Sequence, residues 1–240
     1  MASPLHQFEV HTILPIQIGN FNASFTNASL FMLVAVAVIT GFLVQAMKPR
    51  SVIPGRLQSI AELAYEFIAN MIRTNVGREG RPYFPFIFSL FFFILLGNML
   101  GMLPYGYAFT SHLVVTLGLA LAVFIGTTVI GFIKNGLGFC GFFLPHGTPI
   151  FLAPLLIPLE VMSYRFRPVS LSLRLFANMT AGHTLLKVFA GFVVSLGFMG
   201  FIPMLAVIGL TGLEFLVAFL QAYVYAVLAC IYLNDALHMH

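Results

Sequence analysis

Ser170-Leu-Ser-Leu-Arg-Leu-Phe-Ala-Asn-Met-Thr-Ala-Gly-His183 sets the terms for the whole chain. From Pro168 to Thr184, Arg174 is the only Lys or Arg. A guanidinium in such apolar surroundings costs about 2.5–3.5 kcal/mol on insertion scales. It cannot escape by losing its proton, because its pKa lies above about 12. A charge of this kind marks a functional site and requires a partner. On a helix, Ser170, Arg174, Asn178 and Ala181 share one narrow stripe, small and polar around a single charge. Ala177, Ala181 and Gly182 leave little bulk there, so that another helix can approach closely.

The rest of the chain agrees with a membrane setting. It is 60% hydrophobic and only 8% charged, against roughly 25% charged in a soluble domain. The 240 residues read as one membrane domain. The net charge of +4 does not point to nucleic acid, because six of the eleven basic residues (Lys48, Arg50, Arg56, Arg73, Arg78 and Arg81) share one segment and read as a topology signal. Cys140 and Cys230 lie in apolar surroundings without CxxC or metal-ligand spacing, and read as packing residues. No metal site or cofactor is expected, and no cleavable leader is visible in residues 1–29.

The expected fold is an all-α integral membrane protein, with about five membrane-embedded helices and one amphipathic helix along the interface. Residues 1–29 form an outer N-terminal segment, and 30–47 a first span ended by Lys48-Pro-Arg50. Residues 57–72 place Leu57, Ile60, Ala61, Ala64, Phe67, Ile68 and Met71 at helical spacing, with polar residues between. The same pattern also suits a helix packed on a partner protein. Residues 84–133 read as a two-helix hairpin with a polar turn at 104–112, and Gly136 to Pro149 as a connector. Residues 150–236 read as a long helix hairpin broken near Gly197 to Pro203. Its first arm is far longer than a bilayer is thick, so it tilts, bends at Pro168 or begins outside the membrane. The basic residues put 48–81 and Lys134 inside, the N-terminus outside and the C-terminus inside; Lys187, near the outer end, opposes this orientation.

Past Arg81 the chain has three acids: Glu160, Glu214 and Asp235. Glu160 lies on the Arg174 face, about 21 Å away along the axis. His183 lies about 14 Å from Arg174 in the other direction and on roughly the opposite face. Glu214 and Gln221 are seven residues apart and share a face of the returning helix. The hairpin is antiparallel, so Glu214 falls near the depth of His183, and Gln221 near that of Arg174 and Asn178. Titratable groups then sit on both sides of a charge that cannot titrate, which suits two half-channels that do not join. Arg165 and Arg167 read as interface anchors. A static salt bridge to Glu160 or Glu214, a secondary transporter and a non-transporting membrane scaffold remain alternatives.

These residues resemble a known family. Pro168-Val-Ser-Leu-Ser-Leu-Arg-Leu-Phe-Ala-Asn-Met-Thr-Ala-Gly-His183 is similar to the signature of subunit a of F-type ATP synthases. Asn98-Met-Leu-Gly-Met-Leu-Pro104 and the Glu214/Gln221 pair resemble further motifs of that family. The opening His6-Gln-Phe-Glu-Val and the His183/Glu214 pair look like its alphaproteobacterial and mitochondrial branch. The resemblance implies a proton-conducting subunit that makes no ATP itself, located in a bacterial inner membrane or, alternatively, a mitochondrial one. Its long hairpin would face a ring of c subunits, each bringing one carboxylate to Arg174. Glu214 and His183, with Asn98 and His112, would form the outer half-channel. Glu160 and Ser170 would line the inner one, and Asn178 and Gln221 would position Arg174. The implied partners are the c-ring, b-type subunits of the peripheral stalk, the other synthase subunits and membrane lipid.

Overall fold

The structure, a computed structural model, describes residues 11–15, 17–18, 21–22, 24–48, 54–103, 106–136 and 153–238. The N-terminal motif at residues 6–10, the connector beyond Gly136 and Cys140 lie outside these. Six α-helices make up the described chain: α1 (Asn27–Ala46), α2 (Arg56–Asn75), α3 (Phe84–Met102), α4 (Leu113–Asn135), α5 (Ala153–Ser195) and α6 (Phe201–Leu237).

Each helix follows from the apolar pattern and its punctuation. The α1 helix starts three residues before the expected span, because Thr26 caps it: its Oγ1 accepts the Ser29 amide at 3.4 Å. The α2 helix buries Ala61, Ile68, Met71 and Ile72 on one side and shows charged residues on the other. It lies against α3 and α6, so its apolar face is covered partly by this chain. Phe84-Pro85 opens α3 with a proline in its first turn, where a missing amide is harmless. Residues 12–26 contribute one departure from the all-α expectation. Four short strands, β1 (Thr12–Leu14), β2 (Gln17–Ile18), β3 (Phe21–Asn22) and β4 (Phe25–Thr26), pair β1 with β4 and β2 with β3, both antiparallel.

Among the described residues, four helical stretches are long and apolar enough to cross a membrane: Asn27–Ala46, Arg78–Met102, Leu113–Asn135 and Phe201–Leu237. The expected count of about five exceeds this by one. The difference is α5, whose Arg174, Asn178, His183 and Lys187 lower its apolarity although it is the longest helix. Its 43 residues run through Pro158 and Pro168 and give a length of about 65 Å. The hydrocarbon core of a bilayer is about 30 Å thick. Neighbouring helices allow prolines inside such a helix by re-satisfying the freed backbone groups.

The centre of the bundle is α6. It packs against α5, α4 and α3, and α1 lies outside α3. The consecutive helices α3 and α4 meet chiefly through α6, so the expected 84–133 hairpin is opened by a third helix. The sequence of α6 explains its place: Ala218, Ala222, Ala226, Ala229 and Cys230 are wholly buried along one side. Lipid tails are as apolar as Leu, so close backbone approach and dispersion hold such helices together. Glycines do the same for α3. A Cβ on Gly101 would fall 2.5 Å from the Ala108 Cβ, and one on Gly97 would fall 2.5 Å from the Phe109 ring. The turn at 109–111 is therefore seated directly on α3, with Phe109 fully buried.

Gly101→Ala is expected to lower stability by about 1–3 kcal/mol, the usual cost of overpacking. Gly118→Ala, where an added Cβ meets nothing within 4 Å, should be near neutral. Denaturation of both variants in detergent checks the contrast.

Candidate functional site

The α5–α6 hairpin brings the polar residues together in antiparallel register. His183 Nδ1 lies 3.4 Å from Glu214 Oε1. Lower in the bundle, Asn178 Nδ2 donates to Gln221 Oε1 at 3.0 Å. Lower still, Arg167 donates to Asp235 Oδ2 at 2.7 Å. The matched depths expected for His183 with Glu214, and for Asn178 with Gln221, are both present. The register puts Arg174 at the level of Tyr225.

Glu214 and His183 are both buried. A carboxylate in this setting needs partners, because an unpaired buried polar group costs several kcal/mol. Among the described residues, neither Glu214 oxygen accepts a well-aligned hydrogen bond; the His183 ring is its nearest ionisable neighbour. Gly182 makes their approach possible. A Cβ there would lie 2.9 Å from Glu214 Oε1 and 3.2 Å from its Cδ. The small residue at 182 thus serves Glu214 inside this chain, rather than the outer stripe to which the sequence alone assigned it.

Asn98 is fully buried, and its Nδ2 donates to the Ala218 carbonyl at 3.3 Å, one helical turn from Glu214. This ties α3 to the same cluster. His112 stands at the head of α4, half-buried, with its ring against Tyr107 and its Nε2 hydrogen-bonded to the Tyr107 hydroxyl. Burial pushes the His112 imidazole below its ordinary value, and the Tyr107 phenol up to about 12. The adjoining Ser111 carbonyl accepts from Thr180 Oγ1 at 3.4 Å. The 109–112 turn therefore packs on α5 one turn from His183, while the imidazole of His112 engages Tyr107.

Arg174 has a different environment. It is exposed on the surface of this chain, as are Ser170, Leu173, Ala177, Asn178 and Ala181 on the same stripe. Among the described residues, no hydrogen bond or ion pair holds its guanidinium. The static salt bridge to Glu160 or Glu214 is thereby excluded: Glu214 is engaged from the opposite side of α5, and Glu160 lies beyond the level of Asp235. Glu160 and Ser170 are not drawn into the Glu214 cluster.

Three participants escaped the sequence reading. Tyr225 is wholly buried, and its hydroxyl has no hydrogen-bond partner among the described residues. It lies four residues after Gln221 on the same face, a spacing that singles it out once the polar face of α6 is recognised. Thr110 is buried with its Oγ1 likewise unpartnered. The Arg167–Asp235 pair is the third; its guanidinium also stacks on Tyr164 and Tyr232, at 5.5 and 5.4 Å from the ring centres. Arg167 is thus more than an interface anchor: it fastens α5 to the end of α6. Buried polar atoms on Asn98, Thr110, Gln221 and Tyr225 add to the carboxylate to make a polar strip through an otherwise apolar bundle.

A family model, ATP synthase A chain, matches residues 29–234. The chain belongs to that family. An ATP synthase subunit a from Rhodospirillum rubrum is 56% identical over 241 residues and covers the full length of both chains. One from Paramagnetospirillum magneticum is 53% identical over 247 residues, again over the full length of both. A third, from Allorhizobium ampelinum, is 56% identical over 98% of this chain and 97% of its own.

Gly182→Ala is expected to leave the fold intact, because the atom it meets first is the end of a flexible side chain. It should displace the Glu214 carboxylate from His183 and lower transport by roughly tenfold. Normal yield in the membrane together with reduced proton flux in vesicles is the expected result.

Proposed function

We propose that this chain is the stationary half of the proton channel of an ATP synthase. It conducts protons across the membrane through two offset half-channels and couples that flow to rotation of a ring of c subunits. The observation that carries this reading is Arg174: a permanent charge on an apolar bundle, turned outward, with no acid paired with it among the described residues. A carboxylate brought by another subunit completes it. An opposite charge within about 4–6 Å favours the ionised carboxylate, so Arg174 drives each arriving carboxyl group to release its proton.

Glu214 and His183 pass protons between the outer side and the ring, with Asn98 and His112 on that outer path. Asn178 and Gln221, hydrogen-bonded to each other, hold the level next to Arg174 and orient its surroundings. Glu160 and Ser170 line the inner path. Arg174 cannot relay a proton, and its charge repels a hopping hydronium, so it keeps the two paths apart. Each proton that crosses is worth about 2.3 kcal/mol per 100 mV, and rotation carries that energy to catalytic subunits elsewhere. The chain makes no ATP itself and needs no cofactor. In this reading it is a multi-pass protein of a bacterial inner membrane, with its N-terminus outside and its C-terminus inside, in contact with b-type subunits of the peripheral stalk.

The polar contacts at one end of the bundle favour that orientation. Glu79 pairs with Lys134, Arg167 with Asp235, and Asn135 Nδ2 with the Ala236 carbonyl at 2.8 Å. The positive segment before α3 and the C-terminal end of α6 therefore share one side, as the excess of basic residues on the inner side requires.

Arg174→Ala is expected to abolish coupled proton pumping in inverted vesicles while the subunit still assembles; coupled pumping at the normal rate would refute the assignment. Glu214→Gln keeps the shape and removes the titrating group. It should slow transport by roughly a hundredfold or more, as removal of a proton-transfer group does. A transport rate and pH profile unchanged from wild type would make Glu214 structural.

A further inference from the structure

The opposite end of the bundle from Glu214 contains a second set of charges, outside the proposed proton path. The α2 helix ends at Asn75, and the chain then turns at Gly77, whose φ of +81° is one that side-chain-bearing residues rarely adopt. A short 3₁₀ helix, Arg78–Tyr83, folds back on α2. Gly80 permits the contact: a Cβ there would lie 2.7 Å from Ile72 Cγ2 and 2.8 Å from Val76 Cβ. The result is a cavity of about 860 Å³ into which Arg73 comes from α2, and Arg78 and Arg81 from the returning turn. Among the described residues, no Asp or Glu lines it. The nearest acid in sequence, Glu79, is paired with Lys134 of α4. Among the described residues, none of the three guanidiniums has a hydrogen bond or an ion pair.

A second cavity, of about 480 Å³, adjoins this one and is lined almost wholly by apolar groups, among them Leu43 of α1, Met47 just past its end, Ala61 of α2 and Phe88 of α3. The acid among its described lining residues, Glu62, accepts from Gln58 at 2.8 Å. Tyr65 and Phe84, whose rings are 4.5 Å apart, line both cavities. A cationic chamber thus opens beside an apolar one at the end of the membrane bundle.

We propose that these two chambers bind one anionic phospholipid, its phosphate among Arg73, Arg78 and Arg81 and an acyl chain along Leu43, Met47, Ala61 and Phe88. Guanidinium groups suit phosphate because they donate in pairs to its oxygens. Basic pockets between membrane helices are where anionic headgroups dock. A free phosphate ion would use only the first chamber, and an acidic peptide would gain nothing from the second. The bound lipid would brace α1, α2 and α3 against one another at the end where α2 meets the membrane surface. Nothing in this depends on proton transfer, so lipid binding and transport can fail separately.

The full chain in detergent, titrated with phosphatidylglycerol and with phosphatidylcholine of the same acyl chains, tests this by native mass spectrometry. Phosphatidylglycerol should bind at least about tenfold more tightly, and combined Arg73→Gln, Arg78→Gln and Arg81→Gln should erase the preference. Ala61→Phe, which fills the apolar chamber and leaves the arginines, should weaken phosphatidylglycerol by a similar factor. Equal binding of the two lipids, or an unchanged preference in the triple variant, overturns the proposal. Displacement of the lipid by millimolar inorganic phosphate, or by an equimolar acidic peptide, overturns it in favour of a simple anion or a protein partner. Should the triple variant not fold, Arg81→Gln alone and Ala61→Phe decide in the same way.

Discussion

A guanidinium that cannot be neutralised, placed at the level of an apolar bilayer, constrains everything around it. Among the described residues, none satisfies Arg174. The chain has an acid on α6, but Glu214 packs on the opposite side of α5 beside His183. Had Glu214 met Arg174, the pair would have been a closed salt bridge, costly to separate once desolvated. Turning Arg174 outward instead leaves its charge available to a group that comes and goes. The small residues around it, Ala177 and Ala181, keep that surface open to close approach.

The two sides of α5 therefore do different work. The side toward α6 holds Leu171, Leu175 and Met179, fully buried, and His183 beyond them. The outward side holds the Arg174 stripe. A helix with a polar stripe on one side and a titratable imidazole on the other is less apolar as a whole than its neighbours, although it is the longest. Its stability comes from the neighbours: α4 and α6 on the buried side, and the Arg167–Asp235 bridge where α6 ends. That bridge is partly exposed and supported by two tyrosine rings, so it joins the helices without the full cost of a deeply buried pair.

The helices were legible in the sequence because a membrane span depends on apolar length, which a single chain displays. The boundaries of α3, α4 and α6 fall within three residues of the expected ones. Depth along the hairpin was legible too, since antiparallel register follows from counting residues at a fixed rise per residue. Lateral packing was not. Nothing in the sequence tells that α6 separates α3 from α4, or that Gly182 is small to admit Glu214 rather than a partner helix. Both depend on which faces meet, and runs that are apolar on all sides carry no periodic signal to say so. Tyr225 was missed for a related reason: a tyrosine in a Phe- and Tyr-rich membrane chain reads as packing until its hydroxyl is found buried.

The charges in this bundle are sorted by depth, and the sorting has one physical cause. At the end with Glu79, Lys134, Arg167 and Asp235, oppositely charged side chains pair with each other across helices. There water and headgroups lie within reach, so a pair can form at modest cost. Deeper in, Asn178 and Gln221 meet as neutral amides, and the charge beside them faces out of the chain. Farther still, a carboxyl group and an imidazole meet, both able to exist in neutral form. Groups that cannot be neutralised are paired or turned outward; groups that can change charge are the ones buried. A buried site in an apolar medium tolerates a charge most easily when that charge is transient, and a path for protons is a path of transient charges. The burial of Glu214 and His183 and the exposure of Arg174 are thus two results of the same solvation cost.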